Sequence, residues 1–309
     1  MSVAELWQGA FRIMLRVTQN SRFLFCVGVA ALFACLCLNL SAQSSGSDSK
    51  SNTQNPDALV REVIRNEIQA QLNDKSLWCY REEQQEDSKP SKTLEICQTR
   101  DGDLERVVAV NGRQLDAGQM QAEDQRIQTL IAHPEQLRAK QKKAREDAEQ
   151  ERNMLRIFPE AFRFQCESET GNLITLRFMT NPGFRPNTRA SLVFHHMEGT
   201  LTLNREEKRL VEINGRLTSE VKFLGGLLGH LDKDGTFVVR QQEVGDGHWD
   251  LSYMSVHMGG KALFFKTITV LEKKSLADYK PLPLDVTLQQ AADFLRTDFD
   301  VHTASSSGK

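Results

Sequence analysis

The feature that most constrains this chain is residues 199–272, where apolar and polar side chains alternate in segment after segment. A period of two puts one face of each segment on a core and leaves the other in water, which is the mark of half-buried strands. Leu201 and Leu203, then Leu210 and Ile213, then Leu217, Val221 and Phe223 keep the pattern, as do Phe237 with Val239 and Trp249 with Leu251 and Tyr253. Asn214-Gly215 reads as a type I′ hairpin turn between two of these runs. Gly245-Asp246-Gly247 reads as another turn, and residues 263–271 are apolar on both faces, as in a strand covered on both sides or facing a cavity.

Strand patterning also occupies residues 77–110, 162–166 and 173–179, giving about nine or ten strands joined by short turns, a meander of neighbours. A flat sheet of that size would leave an apolar face wet. The expected fold is therefore α+β, a large antiparallel sheet curled into a half-barrel with helices on its concave side. Asn55-Pro56-Asp57 opens a helix with one apolar stripe of Leu59, Val60, Val63, Ile64, Ile68 and Leu72. Residues 116–156 form a helical insert capped by Asp116, and from residue 135 onward it is almost wholly charged, a solvated helix with ion pairs at three- and four-residue spacing. A short helix covers 288–295.

The front of the chain is organised differently. Arg12, Arg16 and Arg22 precede an apolar run over residues 23–40 that ends in Ser41-Ala42. A basic segment, an apolar segment and a small residue make a secretory signal peptide, cleaved near Ala42, with an uncleaved anchor as the alternative. Cys35 does not fit a lipid-modified leader, because Phe33 stands where a small residue belongs. The domain plan is thus a signal peptide at 1–42, a polar tether at 43–55, one domain at 56–298 and a loose tail at 299–309, all in the periplasm or at the outer membrane. The formal charge of -2 and the lack of a basic stripe exclude a nucleic-acid partner.

Three cysteines follow the leader. Cys79 and Cys97 lie in strand-like runs that can pair antiparallel, and a disulfide between them would stabilise by roughly 3 kcal/mol. Cys166 is left over as a small buried hydrophobe. No cofactor or metal is expected, since His195-His196-Met197-Glu198 on a strand divides its side chains between two faces. Residues 230–241 fail as a calcium loop, with His230 and Gln241 at the two end ligand positions. The glycine segment Gly225-Gly226-Leu227-Leu228-Gly229 suits a lid or a membrane-touching tip, against the plainer reading of a tight crossover.

Gly199-x-Leu201-x-Leu203-Asn204, Arg209-Leu210-Val211, Ile213-x-Gly215-x-Leu217, Val221-x-Phe223, Gly225-Gly226, Gly235-x-Phe237 and Gly247-x-Trp249 together resemble a set of exported bacterial proteins. That group is similar to the lipoprotein-carrier (LolA/LolB-like) superfamily. The resemblance spans roughly residues 158–298 and implies a curled half-barrel closed by helices around a cavity for acyl chains; no single position matches the carrier's cavity arginine.

The functional expectation is a non-enzymatic envelope protein that binds an apolar ligand, a lipid or a lipoprotein acyl chain. Leu59, Val63 and Ile64 would form the plug, and Trp249, Tyr253, Phe264 and Phe265 the cavity wall. Two alternatives differ in kind: a structural or adaptor envelope protein with a filled core and an envelope protein as partner, and a metal-dependent hydrolase using His195 and His196.

Overall fold

The computed structural model describes residues 55–188, 190–226, 229–262 and 266–297. The expected leader, tether and tail, together with Leu227, Leu228, Phe264 and Phe265, lie outside these residues.

A single open antiparallel sheet of 13 strands dominates the described residues. In chain order these are β1 (Leu77–Glu86), β2 (Lys92–Cys97), β3 (Leu104–Val110), β4 (Arg113–Gln114), β5 (Phe162–Thr170), β6 (Leu173–Thr180), β7 (Met197–Asn204) and β8 (Arg209–Leu217). Then come β9 (Val221–Phe223), β10 (Gly229–Leu231), β11 (Thr236–Gly245), β12 (His248–Ala262) and β13 (Lys266–Leu282). The helices are α1 (Pro56–Asn73), α2 (Ala117–Ala132), α3 (Glu135–Ala161) and α4 (Leu288–Thr297).

Across the sheet the order is β4-β3-β2-β1-β13-β12-β11-β8-β7-β6-β5, with β9 and β10 branching from β12. The meander expectation holds within each block and fails at two seams. β1 pairs with β13, and β8 pairs with β11 because β9 and β10 leave the main path. The half of β13 from Glu272 to Leu282 escaped the sequence reading, since its charges look like loop. They are paired instead, Lys274 reaching the buried Glu82 of β1 at 3.1 Å.

The Asn214-Gly215 turn is corrected. Both residues lie inside β8, opposite Thr200 and Gly199 on one side and Val238 and Phe237 on the other. A row therefore runs Phe178, Gly199, Gly215, Phe237 across β6, β7, β8 and β11. A Cβ on Gly215 would sit 2.4 Å from the Phe237 ring, and one on Gly199 only 2.7 Å from Phe178 and 1.9 Å from the Asn214 carbonyl oxygen. The glycines make room for the two rings and for the bend of the sheet, a use of glycine distinct from turn formation.

Alternation on β1 separates two cores. Trp78 and Tyr80 face the main core with Leu94 and Ile96, while Leu77 and Cys79 face a second one with Cys97 and Leu104. The main core lies on the inner face of the curl under α1 and the C-terminal part of α3. The second is covered by α2 and α4 on the opposite face, through Ile127, Leu288, Ala291, Ala292 and Leu295.

α1 starts where Asn55 accepts from the Asp57 N–H at 3.0 Å with Pro56 in the first turn. α2 starts with a capping box of Asp116 and Gln119. α3 runs to Ala161, past the expected end of the insert, and its last carbonyls are satisfied by Asn181, whose backbone N–H bonds Ala161 and whose side chain bonds Glu160. It is less solvated than expected: Asp147 and Glu151 turn inward. Its apolar end brings Phe158 among Phe162, Phe178 and Phe194, with ring centroids 4.7 to 6.0 Å away.

Candidate functional site

The C-terminal end of α1 overhangs a polar recess of about 240 Å³. Glu67, Gln71 and Asp74 reach it from one side of the helix, because spacings of four and three return to the same face. The opposite wall comes from Trp78 at the start of β1, Arg209 at the start of β8, and His248, Trp249 and Asp250 at the start of β12. The sheet order brings these together: β12 lies two strands from β1 and two from β8.

Glu67 is the most constrained member, 1% exposed. Its Oε1 accepts from the Leu210 N–H at 2.8 Å, a donor lying beyond the last β8–β11 pair at Glu212, and is 3.2 Å from Arg209 Nε. Its Oε2 is buried without a hydrogen-bond partner, and so are both amide atoms of Gln71 one turn later. Burial raises the Glu67 pKa above its ordinary value, the Arg209 charge and the Leu210 N–H opposing it only in part.

Opposite, the His248 ring stacks on Trp78 at 4.9 Å and lies between two carboxylates, with Nδ1 3.4 Å from Asp74 and Nε2 3.7 Å from Asp250. Asp250 accepts from the Leu251 N–H at 2.6 Å. Asp74 accepts from Ser76 through both backbone and hydroxyl, and that hydroxyl takes the Trp78 indole N–H at 2.7 Å. Trp249 donates to Glu207 at 2.8 Å and carries the Arg209 guanidinium 5.8 Å from its ring. Every aromatic side chain here is pinned by a polar partner, so the recess is pre-shaped.

A second cleft of about 320 Å³ lies between the N-terminal part of α3 and the inner face of β1, β2 and β13. It too is polar, with Glu82, Glu105 and Asp147 facing Lys140 and Lys274. Burial raises the Glu82 pKa, and Lys274 offsets part of that.

The structure distributes the expected cavity residues over three places. Leu59, Val63 and Ile64 are packed in the main core at 1 to 5% exposure. Trp249 lines the polar recess. Tyr253 lies between cations, with Arg240 at 5.1 Å and Lys273 at 5.8 Å from its ring. Gly225 and Gly226 follow β9 with positive φ, 63° and 96°, and Gly229 begins β10, so the segment joins two paired strands.

Cys79 and Cys97 are directly opposed across β1 and β2 and form a disulfide. Cys166 is corrected: it is only partly buried, with its thiol 3.7 Å from Glu169. His195 and His196 end a 3-10 turn over Ala190–His196 instead of lying on a strand. His196 bonds Ser219 at 2.7 Å, and Glu198 holds Arg216 at 3.0 Å. Burial, and then the charge of His195, lowers the His196 pKa.

Glu67, Gln71 and Arg209 were missed in the sequence. The signal available was Glu67 itself, a carboxylate flanked by Val63, Ile64 and Ile68 on the apolar stripe of α1, where a solvated face would not place it. Comparison with known proteins found no matching family model, no matching curated protein and no matching solved structure.

Proposed function

We propose that this is an exported, non-enzymatic envelope protein acting as an adaptor, whose hollow is filled by its own helix and not by an acyl chain. The observation that carries the reading is the fate of the α1 stripe. Leu59, Val60 and Val63 are each 1% exposed against the inner face of the sheet, where an acyl chain would have to lie. Each such side chain contributes about 1.5–3 kcal/mol by leaving water, so a lipid would have to displace a well-held plug. Both clefts beside α1 and α3 described above are lined by charges, the wrong chemistry for a hydrocarbon. Export is supported by the basic-then-apolar leader and by the Cys79–Cys97 disulfide, which suits an oxidising compartment. A contact role for α3 is supported by its exposed charges Lys142, Lys143, Arg145, Glu146 and Glu149.

The test is native mass spectrometry of protein purified without detergent, with displacement of a fluorescent fatty acid as the second readout. The polypeptide mass alone and no saturable displacement are expected. A stoichiometric co-purified lipid overturns the filled-core reading and restores the lipid-carrier one. For the contact role, charge reversal at Lys142, Lys143 and Arg145 should remove in-cell cross-links to other envelope proteins while leaving the melt intact. An unchanged cross-link pattern defeats it.

A further inference from the structure

The two borders of the sheet are finished differently. At one of them β4 is only two residues long, and α2 closes β3 with side chains: Glu123 accepts from the Val107 N–H at 2.8 Å and Arg126 donates to the Glu105 carbonyl. β5 forms the other border, is nine residues long, and among the described residues pairs only with β6. We propose that this border is an interface between two copies of the chain, which join antiparallel through β5 about a two-fold axis at Gln165. The interface is separate from whatever α3 contacts.

The backbone fixes which groups are on offer. The Asn181 N–H bonds the Ala161 carbonyl, and in an antiparallel ladder bonded pairs alternate with unbonded ones. Arg163 and Gln165, opposite Met179 and Arg177, therefore turn their amide and carbonyl groups to β6. Those of Phe162, Phe164 and Cys166 point the other way, to the open side. A border with such groups free is a template for a further strand. The register irregularity between Cys166 and Ser168 ends the regular stretch, so only the part before Ser168 can serve.

Charge selects the partner and the register. Arg163, Gln165 and Glu167 are exposed, and Glu167 shares an outer-face groove with Arg177 and Thr200. Phe164 and Cys166 lie on the inner face, partly buried at the rim of the main core. With the axis at Gln165, Phe164 of each copy forms a hydrogen-bonded pair with Cys166 of the other, and Arg163 lies directly opposite Glu167, twice over. Opposite charges at facing positions attract and like charges repel. Moving the axis to Arg163 would set two arginines against each other. Moving it to Phe164 sets Arg163 against Gln165, and moving it to Cys166 brings both irregularities into the joint. The stretch 163–167 is thus complementary to itself, as an interface that repeats one surface on both partners must be. The contact also covers Phe164 with the thiol of the other copy, a favourable pairing of sulfur and ring.

The experiment is sedimentation equilibrium of the intact protein over a range of concentrations, with a short bismaleimide cross-linker as the second readout. A reversible dimer is expected. Cys166 is the free cysteine of the described residues, and its two copies would be diagonal neighbours on one face, about 7–8 Å apart and within reach of the reagent. The cross-linker should therefore trap the dimer, and Cys166→Ser should abolish trapping while leaving sedimentation unchanged. Arg163→Glu and Glu167→Arg each set like charges together and should each weaken the dimer at least tenfold. The double variant restores opposite pairs and should recover it. Along one strand the two positions are about 13 Å apart, so the recovery must come from between copies. Lys142→Glu on α3 should change nothing, which separates this interface from the adaptor surface. Circular dichroism checks that each variant folds, and the wild-type sedimentation and trapping stand if one does not. A monomer at every concentration, a dimer indifferent to both single variants, or a double variant without recovery overturns the proposal.

Discussion

Replacing Gly215 by alanine tests the central row of the sheet. The new Cβ would lie 2.4 Å from Phe237 Cε1 and 2.5 Å from Cζ, where ordinary contact begins near 3.4 Å, so the ring must retreat by about 1 Å. Phe237 is 7% exposed and packs in the main core, leaving little room for that retreat. Overpacking of this kind costs about 1–3 kcal/mol, a sizeable share of the roughly 5–15 kcal/mol that holds a domain together. Urea unfolding followed by circular dichroism gives the loss directly, and trimming the ring separates its cause. Phe237→Leu alone should destabilise, yet in the Gly215→Ala background it should restore about 1 kcal/mol or more through the coupling of the pair. Asn214→Ala, at an exposed position of β8, should be nearly neutral. A hairpin turn at Asn214-Gly215 would give the opposite pattern, with Asn214→Ala costly and no rescue by the smaller side chain at 237. That result would refute the mid-strand placement.

Three further outcomes are expected. Reducing the disulfide, or making the Cys79→Ala/Cys97→Ala pair, removes a cross-link over a sequence separation of 18 and should cost about 3 kcal/mol; a melt insensitive to reductant in the wild type contradicts this. Phe158→Ala removes the centre of the aromatic cluster and should cost about 3–5 kcal/mol in urea unfolding, with a loss under 1 kcal/mol counting against that packing. Glu67→Gln should become more stabilising relative to the wild type as pH rises. Burial raises the carboxyl's folded pKa, so its favourable contribution is complete below the ordinary value near 4.5 and is lost as pH climbs through the folded value; each tenfold gain in the carboxyl's proton affinity on folding is worth about 1.4 kcal/mol. Paired melts from pH 4 to 8 measure it, and a difference that is flat or reversed defeats the argument.

The large sheet was legible because alternation is local: Leu201, Leu203 and Ile213 report their face without knowing their neighbours. The two seams were not legible, since nothing near Leu77 tells which of many strands will lie beside it. Asn214-Gly215 misled because turn chemistry and close packing call for the same residue, and only the ring of Phe237 on another strand distinguishes them. The recess was hidden for a related reason. Its parts come from α1, β1, β8 and β12, and although Glu67 stands out on the apolar stripe of α1, nothing near it in the sequence names Leu210 and Arg209 as its partners. Trp249 and Tyr253 share a strand pattern with core residues, yet the start of β12 runs past the end of α1, leaving Trp249 beside polar groups and not under the plug.

The β1–β13 seam has a consequence for how the chain reaches this shape. Residue 77 meets residue 282, so the first hairpins are synthesised long before the partner that covers them exists. Until then β1 shows bare amide and carbonyl groups along one border, the kind of border that recruits stray strands from other chains. Contacts that span most of the sequence also form slowly. During that wait the Cys79–Cys97 staple holds β1 and β2 in register, so the first hairpin can stand ready for a strand that arrives almost 200 residues later.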